Sequence, residues 1–283
     1  TFSGGDAIPA PDDDPRIPIP KGIPTFESPF MVQKALTAKA APAPAFVADV
    51  MILYTDDIAT KLGAGLMPML YNLVATNNLA LADSEVALSL RLVNATKINL
   101  PNTAGSSDTL SSMAGSAGSN IAFFQGLSHG AGSLRDQVGA DFVALVRDGP
   151  TDTGGIAFVL KNPTPGVLSS TAAHSVNNFC AGGCESIFAH ELGHNQGNAH
   201  DRNTVARDSG TGTVSPTAGV FPYSFGHNFC TNGFTCDAFT PGGCPSNYAQ
   251  CASRVTGVDF GTIMSYVNPT AMKFSNPNVQ CVP

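Results

Sequence analysis

The sequence predicts a mixed α/β fold, and its first half carries the prediction in three adjoining stretches. Residues 47–54 hold Val47, Val50, Met51, Ile52 and Leu53 in a short apolar run with the length of a buried strand. Residues 65–81 set Leu66, Met69, Leu70, Leu73 and Val74 at helical spacing, with Pro68 tolerable in a first turn. Residues 86–92 then alternate toward a second strand, which completes a β-α-β opening.

The remaining elements follow in order. Residues 105–119 are rich in Ser and Gly and read as a surface loop, and residues 121–138 read as a helix interrupted near 126–132. DFVALV at 141–146 is a buried strand, and 154–160 is a strand whose leading glycines allow close backbone approach, as at a sheet edge. Residues 1–46 read as a Pro-rich N-terminal extension, because prolines from Pro9 to Pro24 break successive helical windows and Asp12, Asp13 and Asp14 add a charge run.

A chain of 283 residues is long enough to bury a core that needs no cofactor to fold. Charged residues make up 12%, about half the usual share. The formal net charge is −7, which leaves no basic footprint for a phosphate backbone, so no nucleic-acid partner is expected. No apolar run approaches the ~18 residues of a membrane span. Five of the seven cysteines, Cys230, Cys236, Cys244, Cys251 and Cys281, crowd the C-terminal region amid Gly and Pro. No CxxC pair occurs, so they read as disulfide staples of an oxidising compartment rather than metal ligands. Since seven is odd, three disulfides and one thiol are expected; Cys180 and Cys184, flanking an Ala-Gly-Gly loop, form a local pair and the other pairings stay open. With Thr1 in place of a charged and apolar leader, a mature secreted protein is expected.

The chemistry lies in residues 190–201, HELGHNQGNAHD. His190 and His194 stand four apart and leave one helix face in successive turns, the arrangement two imidazoles need to meet one zinc ion. Glu191, next to a ligand without replacing it, can accept a proton from a water that the metal has acidified. Gly197 can supply the positive φ that ends the helix and brings His200 round as a third ligand. Three protein ligands leave one coordination position open, as catalysis requires. His129, His174 and His227 have no second ligand at helical spacing and are expected at the surface or in hydrogen bonds.

The pattern HExxHxxGxxHD resembles the signature of the metzincin zinc endopeptidases at His190, Glu191, His194, Gly197, His200 and Asp201. GTIMSY at 261–266 resembles their Met-turn, with Met264 as an apolar floor beneath the imidazoles. Asp201 points to the reprolysin-like enzymes, and VADVMILYT, LRDQVGADFVALV, GIAF, FPYSFGH and KFSNP are similar to the bacterial group that includes peptidyl-Asp metallopeptidases. This likeness covers about residues 47–283 and implies a zincin-like, twisted, mostly parallel sheet with packed helices and the zinc helix on the cleft floor. It also implies an upper catalytic subdomain at 47–203 and a small, irregular, disulfide-stapled lower subdomain at 204–283. Protein or peptide substrate would lie along the edge strand at Gly155, Ile156 and Ala157 in β-augmentation.

Four further expectations rest on the resemblance. Tyr266, two residues after Met264, is a candidate for stabilising the oxyanion. Arg254 or Lys273 could supply a cation for an acidic substrate residue. Asp56 and Asp57 could help hold calcium. Residues 1–46 could be a pro-segment remnant, since Phe2-Ser3-Gly4-Gly5-Asp6 distantly resembles the zinc-capping stretch of astacin pro-segments. The resulting function is a secreted, monomeric zinc metalloendopeptidase; the alternatives are a narrow-specificity processing protease and a catalytically silent binding module on the same fold.

Overall fold

The computed structural model describes residues 45–150, 152–161, 170–208, 214, 215, 217–229, 260–266 and 270–276. The expected N-terminal extension, Arg254 and the five C-terminal cysteines lie outside the described residues. Strands are β1 Phe46–Thr55, β2 Leu88–Ile98, β3 Phe142–Val146, β4 Gly155–Ala157, β5 His174–Asn177, β6 Asn228–Phe229, β7 Phe260–Thr262 and β8 Thr270–Ala271. Helices are α1 Asp56–Leu62, α2 Leu66–Asp83, α3 Ser106–Met113, α4 Ile121–Phe124, α5 Leu134–Val138, α6 Glu185–Asn195 and α7 Arg202–Asp208.

β1–β5 form one sheet in the order β2-β1-β3-β5-β4, and β6-β7-β8 form a second, smaller one. The first four strands of the large sheet are parallel, while β4 pairs antiparallel with β5 at the edge. The expected α/β class with a mostly parallel sheet is what the chain adopts. Helices cover both faces, which explains why β1 reads as a continuous apolar run instead of an alternating one. Val50 and Ile52 join the cluster of Leu70, Leu73, Phe188 and Leu192 from α2 and α6; Met51 and Leu53 join Leu110, Met113 and Phe124 on the other face. Ala144 and Val146 against Val143 and Leu145 divide β3 in the same way.

Three expectations need correction. The Ser/Gly-rich stretch at 105–119 contains α3, whose Ser106, Thr109, Leu110, Ser112 and Met113 are buried. Serines hide its period because small hydroxyls can face a sheet where apolar groups are expected, and the Asp152 carboxylate accepts the Ser106 N–H (2.8 Å) and hydroxyl (2.7 Å) where the helix starts. Strand structure at 154–160 extends only over Gly155–Ala157. β5 has no counterpart in the sequence reading: only Val176 of HSVN is apolar, yet all four residues are buried.

His174 in β5 is 1% exposed, with its ring nitrogens 3.3 Å from Thr171 O and 3.2 Å from Ser128 O. Burial, helped by the nearby Arg135 guanidinium, pushes its pKa down to about 4. The unfolded chain therefore takes up a proton that the folded one refuses as pH falls from about 6.5 to about 4. Through this residue, stability should drop by up to about 3 kcal/mol over that interval and no further below it. Urea unfolding at stepped pH is expected to show a flatter profile for His174→Gln than for the unaltered chain; parallel profiles would refute the assignment.

Candidate active site

α6 starts at the Cys180–Cys184 disulfide, with Cys184 as N-cap residue and its carbonyl accepting the Phe188 N–H at 2.8 Å. That bridge is the local pair expected from the spacing. Phe188, Ala189 and Leu192 bury one side of the helix against the sheet, which turns His190 and His194 toward the cleft. The helix closes at Gln196, after which Gly197 donates to His194 O (2.9 Å) and Asn198 to Gly193 O (2.9 Å). Gly197 sits at φ +91°, and a β-carbon there would come within 2.5 Å of Val220 Cβ, so only glycine fits this turn. Beyond it, His200 folds back onto the helix.

The three imidazoles meet. His200 Nε2 lies 3.1 Å from His194 Nε2 and 3.2 Å from His190 Nε2. His190 Nδ1 lies 2.7 Å from Ile263 O, and His194 Nδ1 lies 2.8 Å from Asn198 O. Carbonyls only accept, so these Nδ1 atoms carry the protons and the Nε2 lone pairs are left facing one another. Burial lowers the pKa of both His190 and His194, and neighbouring histidine charge lowers that of His194 further, so both rings stay neutral. Converging neutral donors without protons between them fit a bound cation, as the donor set of a metal centre should. Among the described residues this is the one group of three or more His, Cys, Asp or Glu able to hold a metal ion.

Glu191 is 5% exposed, and burial pushes its carboxyl up to about 8. It faces β4: a β-carbon at Gly155 would lie 2.5 Å from Glu191 Oε1. Asp201 is buried and accepts from Thr204 N (3.0 Å), Thr204 Oγ1 (2.9 Å), Asn228 Nδ2 (3.0 Å) and Ser265 Oγ (3.1 Å). Its own N–H donates to Met264 O at 3.1 Å, tying the turn that carries His200 to the segment that carries Met264. Tyr266, 48% exposed, brings its hydroxyl 3.0 Å from His200 Nε2.

A cleft of about 620 Å³ runs along these groups, lined by Gly155, Ile156 and Ala157 of β4 together with the three histidines, Glu191 and Tyr266. A second cavity of about 250 Å³ opens beside it between Ile187, Ser186, Ile263 and Thr270. Neither is lined by Lys273. Asp56 does not join the site either; it pairs with Lys97 at 2.8 Å. The sequence reading missed Lys161, which lines the larger cleft. Its signal was available as a cation in the run that leaves the edge strand of a charge-poor chain.

The model described as metallo-peptidase family M12, of reprolysin type, matches residues 47–275. The peptidyl-Asp metalloendopeptidase of Stenotrophomonas maltophilia (strain K279a) is 27% identical over 238 residues, covering 81% of this chain; the chain spans 45% of that relative's length. Among solved structures, a chaperone–substrate complex is similar over 56% of this chain and 24% of its own (19% identity, TM-score 0.44). Metalloproteinase-II from Bacteroides fragilis is similar over 66% and 50% (18% identity, TM-score 0.38).

Met264 is 1% exposed, and a β-carbon at Gly193, between the two helical histidines, would strike its Sδ and come 2.9 Å from Phe274 Cε1. Gly193→Ala gains about 1 kcal/mol of helix propensity but overpacks at about 1–3 kcal/mol. Overpacking wins where neither neighbour can retreat, so denaturant titration should show a net loss of about 1–2 kcal/mol; an unchanged or raised midpoint would contradict that contact. With the family model spanning nearly all of the described fold and a convergent three-histidine centre within it, the chain belongs to metallo-peptidase family M12.

Proposed function

We propose that the chain is a secreted, monomeric zinc-dependent endopeptidase. The observation that carries this reading is the convergence of His190, His194 and His200 Nε2 beside the buried Glu191 carboxyl in an open cleft. When bound, zinc supplies Lewis acidity, polarising the scissile carbonyl and making a water easier to ionise. Glu191 takes the proton of the attacking water and delivers it to the leaving amine, so no covalent enzyme intermediate is needed. The burial that raises its pKa favours this work, since a carboxylate of higher pKa is the stronger base. A cation on the histidines would draw the value back down.

The other site residues have supporting roles in this reading. Substrate extends along Gly155, Ile156 and Ala157 and adds main-chain hydrogen bonds to the edge. Tyr266 donates its hydroxyl to the developing oxyanion. Gly197, Asp201 and Met264 hold the ligands in place. The partner is protein or peptide, with no role for nucleic acid or membrane; among the described residues no helix is long and apolar enough to cross a membrane. Cysteine content and the Cys180–Cys184 bridge support an oxidising, extracellular setting. The division at 203/204 into upper and lower subdomains is likewise proposed.

Glu191→Ala should retain one equivalent of metal, because all three ligands remain, and lose casein hydrolysis by about 10²-fold or more. Chelation should silence the unaltered chain and zinc should restore it. Full activity in the variant, or hydrolysis indifferent to chelator, would sink the reading, and no hydrolysis by the unaltered, zinc-loaded chain would favour a binding module.

A substrate preference follows from the relative's printed name, which specifies peptidyl-Asp, and from Lys161 in the cleft. We propose that Lys161, in place of the expected Arg254 or Lys273, attracts an acidic side chain of the substrate. Cleavage-site mapping on a peptide library should show acidic residues enriched near the scissile bond. Lys161→Glu should lower the acidic-to-basic cleavage ratio about tenfold, on the scale of one charge pair in a partly screened cleft. An unchanged ratio would remove Lys161 from specificity.

A further inference from the structure

Arg147 follows β3 and is 0% exposed. Its guanidinium donates from Nε to Asn178 Oδ1 (2.7 Å), from Nη1 to Ala104 O (2.8 Å) and from Nη2 to Ser106 Oγ (2.9 Å). Asp152, whose carboxylate accepts from the Ser106 backbone and hydroxyl, supplies the opposing charge one group away. A buried cation whose nearest acceptors are an amide, a carbonyl and a serine binds them firmly, because releasing any of them leaves charge or lone pairs unsatisfied.

Asn178 is where this network meets the cleft. Its side-chain Nδ2 donates to Thr153 O at 2.7 Å and its backbone N–H donates to Gly154 O at 2.8 Å. Thr153 Oγ1 in turn donates to Gly155 O at 2.8 Å. The two peptide units that lead into β4 therefore hang from one asparagine, which Arg147 and Ser106 hold in orientation. β4 needs such an anchor, since it has only three residues paired with β5. The sheet itself does not, because Arg147 N–H to Asn177 O (3.0 Å) and Cys180 N–H to Arg147 O (3.1 Å) are main-chain bonds that survive side-chain changes.

We propose that Arg147, Ser106, Asp152 and Asn178 form a clamp that fixes the height of β4 over Glu191, with Asn178 as a positioning residue for hydrolysis. This inference rests on the endopeptidase reading, in which β4 carries the substrate. The gap it controls is narrow, since Gly155 leaves no room for a β-carbon beside Glu191. A displacement of about 1 Å between a bound substrate and its catalytic group can cost about 10²-fold in rate. Substrate held by main-chain bonds to β4 would move with the strand, so turnover should suffer while binding does not.

Asn178→Asp tests the clamp in the full, zinc-loaded chain. It preserves shape and the acceptor for Arg147 but sets an oxygen against Thr153 O in place of a donor. Hydrogen exchange should speed up by about tenfold or more at residues 155–157 with β1 and β3 unchanged, as for a local opening. On peptides that the unaltered chain cleaves, kcat should fall about tenfold or more with KM within about threefold and zinc content intact. Ser106→Ala, which removes the hydroxyl that joins Arg147 and Asn178 to Asp152 but leaves both Asn178 bonds to the edge, should give a smaller change of the same pattern and serves if Asn178→Asp does not fold. Unchanged exchange at 155–157, uniform acceleration through β1, β3 and β5, or unchanged kcat would each overturn the clamp. Failure of the unaltered chain to cleave any peptide would overturn the endopeptidase reading alone, and the exchange result would still decide whether β4 is clamped.

Discussion

Three imidazole nitrogens stand within 3.2 Å along two edges of a triangle with no proton to share between the two helical ones, and most of the surrounding structure exists to hold them there. Left to themselves, such lone pairs repel. Ile263 O and Asn198 O hold the ring protons on the far side. Gly197 supplies the turn that no other residue could make beside Val220, and Asp201 bonds the returning chain to the Met264 segment. These supports come from two distant stretches, 197–201 and 263–264, so the centre assembles only when the fold does. Until then its donors are merely three histidines among others.

Much of this was legible because the motif is local and periodic. His190, Glu191 and His194 sit on one helix, and a helix of period 3.6 fixes their relation before any tertiary contact. β1, α2 and β3 were legible for a similar reason: Val50 to Leu53 and Val143 to Val146 are apolar on both faces, and a strand covered twice announces itself. α3 and β5 were obscured because their burial is polar. Ser106, Thr109 and Ser112 in α3, and His174, Ser175 and Asn177 in β5, are almost entirely shielded from solvent while carrying groups that composition assigns to surfaces. Several of their partners lie far off in sequence, Asp152 for Ser106, Ser128 O for His174 and Leu145 O for Asn177, and no window on the sequence spans that distance.

The same limit explains why the metal ligands could be read while the cleft could not. Ligand spacing is a property of one segment, but the wall opposite Glu191 is made by Gly155, and the side chains around its entry, Arg147 and Asp152 of the β3–β4 connection and Asn178 after β5, come from separate stretches of the chain. Lys161 belongs with them, since its place after the edge strand marks a cation near the cleft but not that it lines it. Arg254 and Lys273 were reasonable candidates by nearness to Met264 in sequence, yet Lys273 contributes its carbonyl to Ile263 N–H and lines neither cavity.

Charge scarcity connects these observations. A chain with only 12% charged residues can bury Arg147 and Glu191 only at the cost of desolvation, and it treats the two differently. Arg147 is surrounded by acceptors and backed by Asp152, so its pKa falls only to about 10 and it stays charged. Glu191 is given no such partner, and burial alone drives its carboxyl up to about 8. One buried charge is stabilised until it becomes part of the framework; the other is left unsatisfied beside an open cleft, where a proton or a cation can still change its state. A fold that can surround Arg147 with acceptors some distance earlier in the chain could have done the same for Glu191. That contrast separates two kinds of buried charge in this molecule, one built into the framework at Arg147 and one facing the cleft at Glu191.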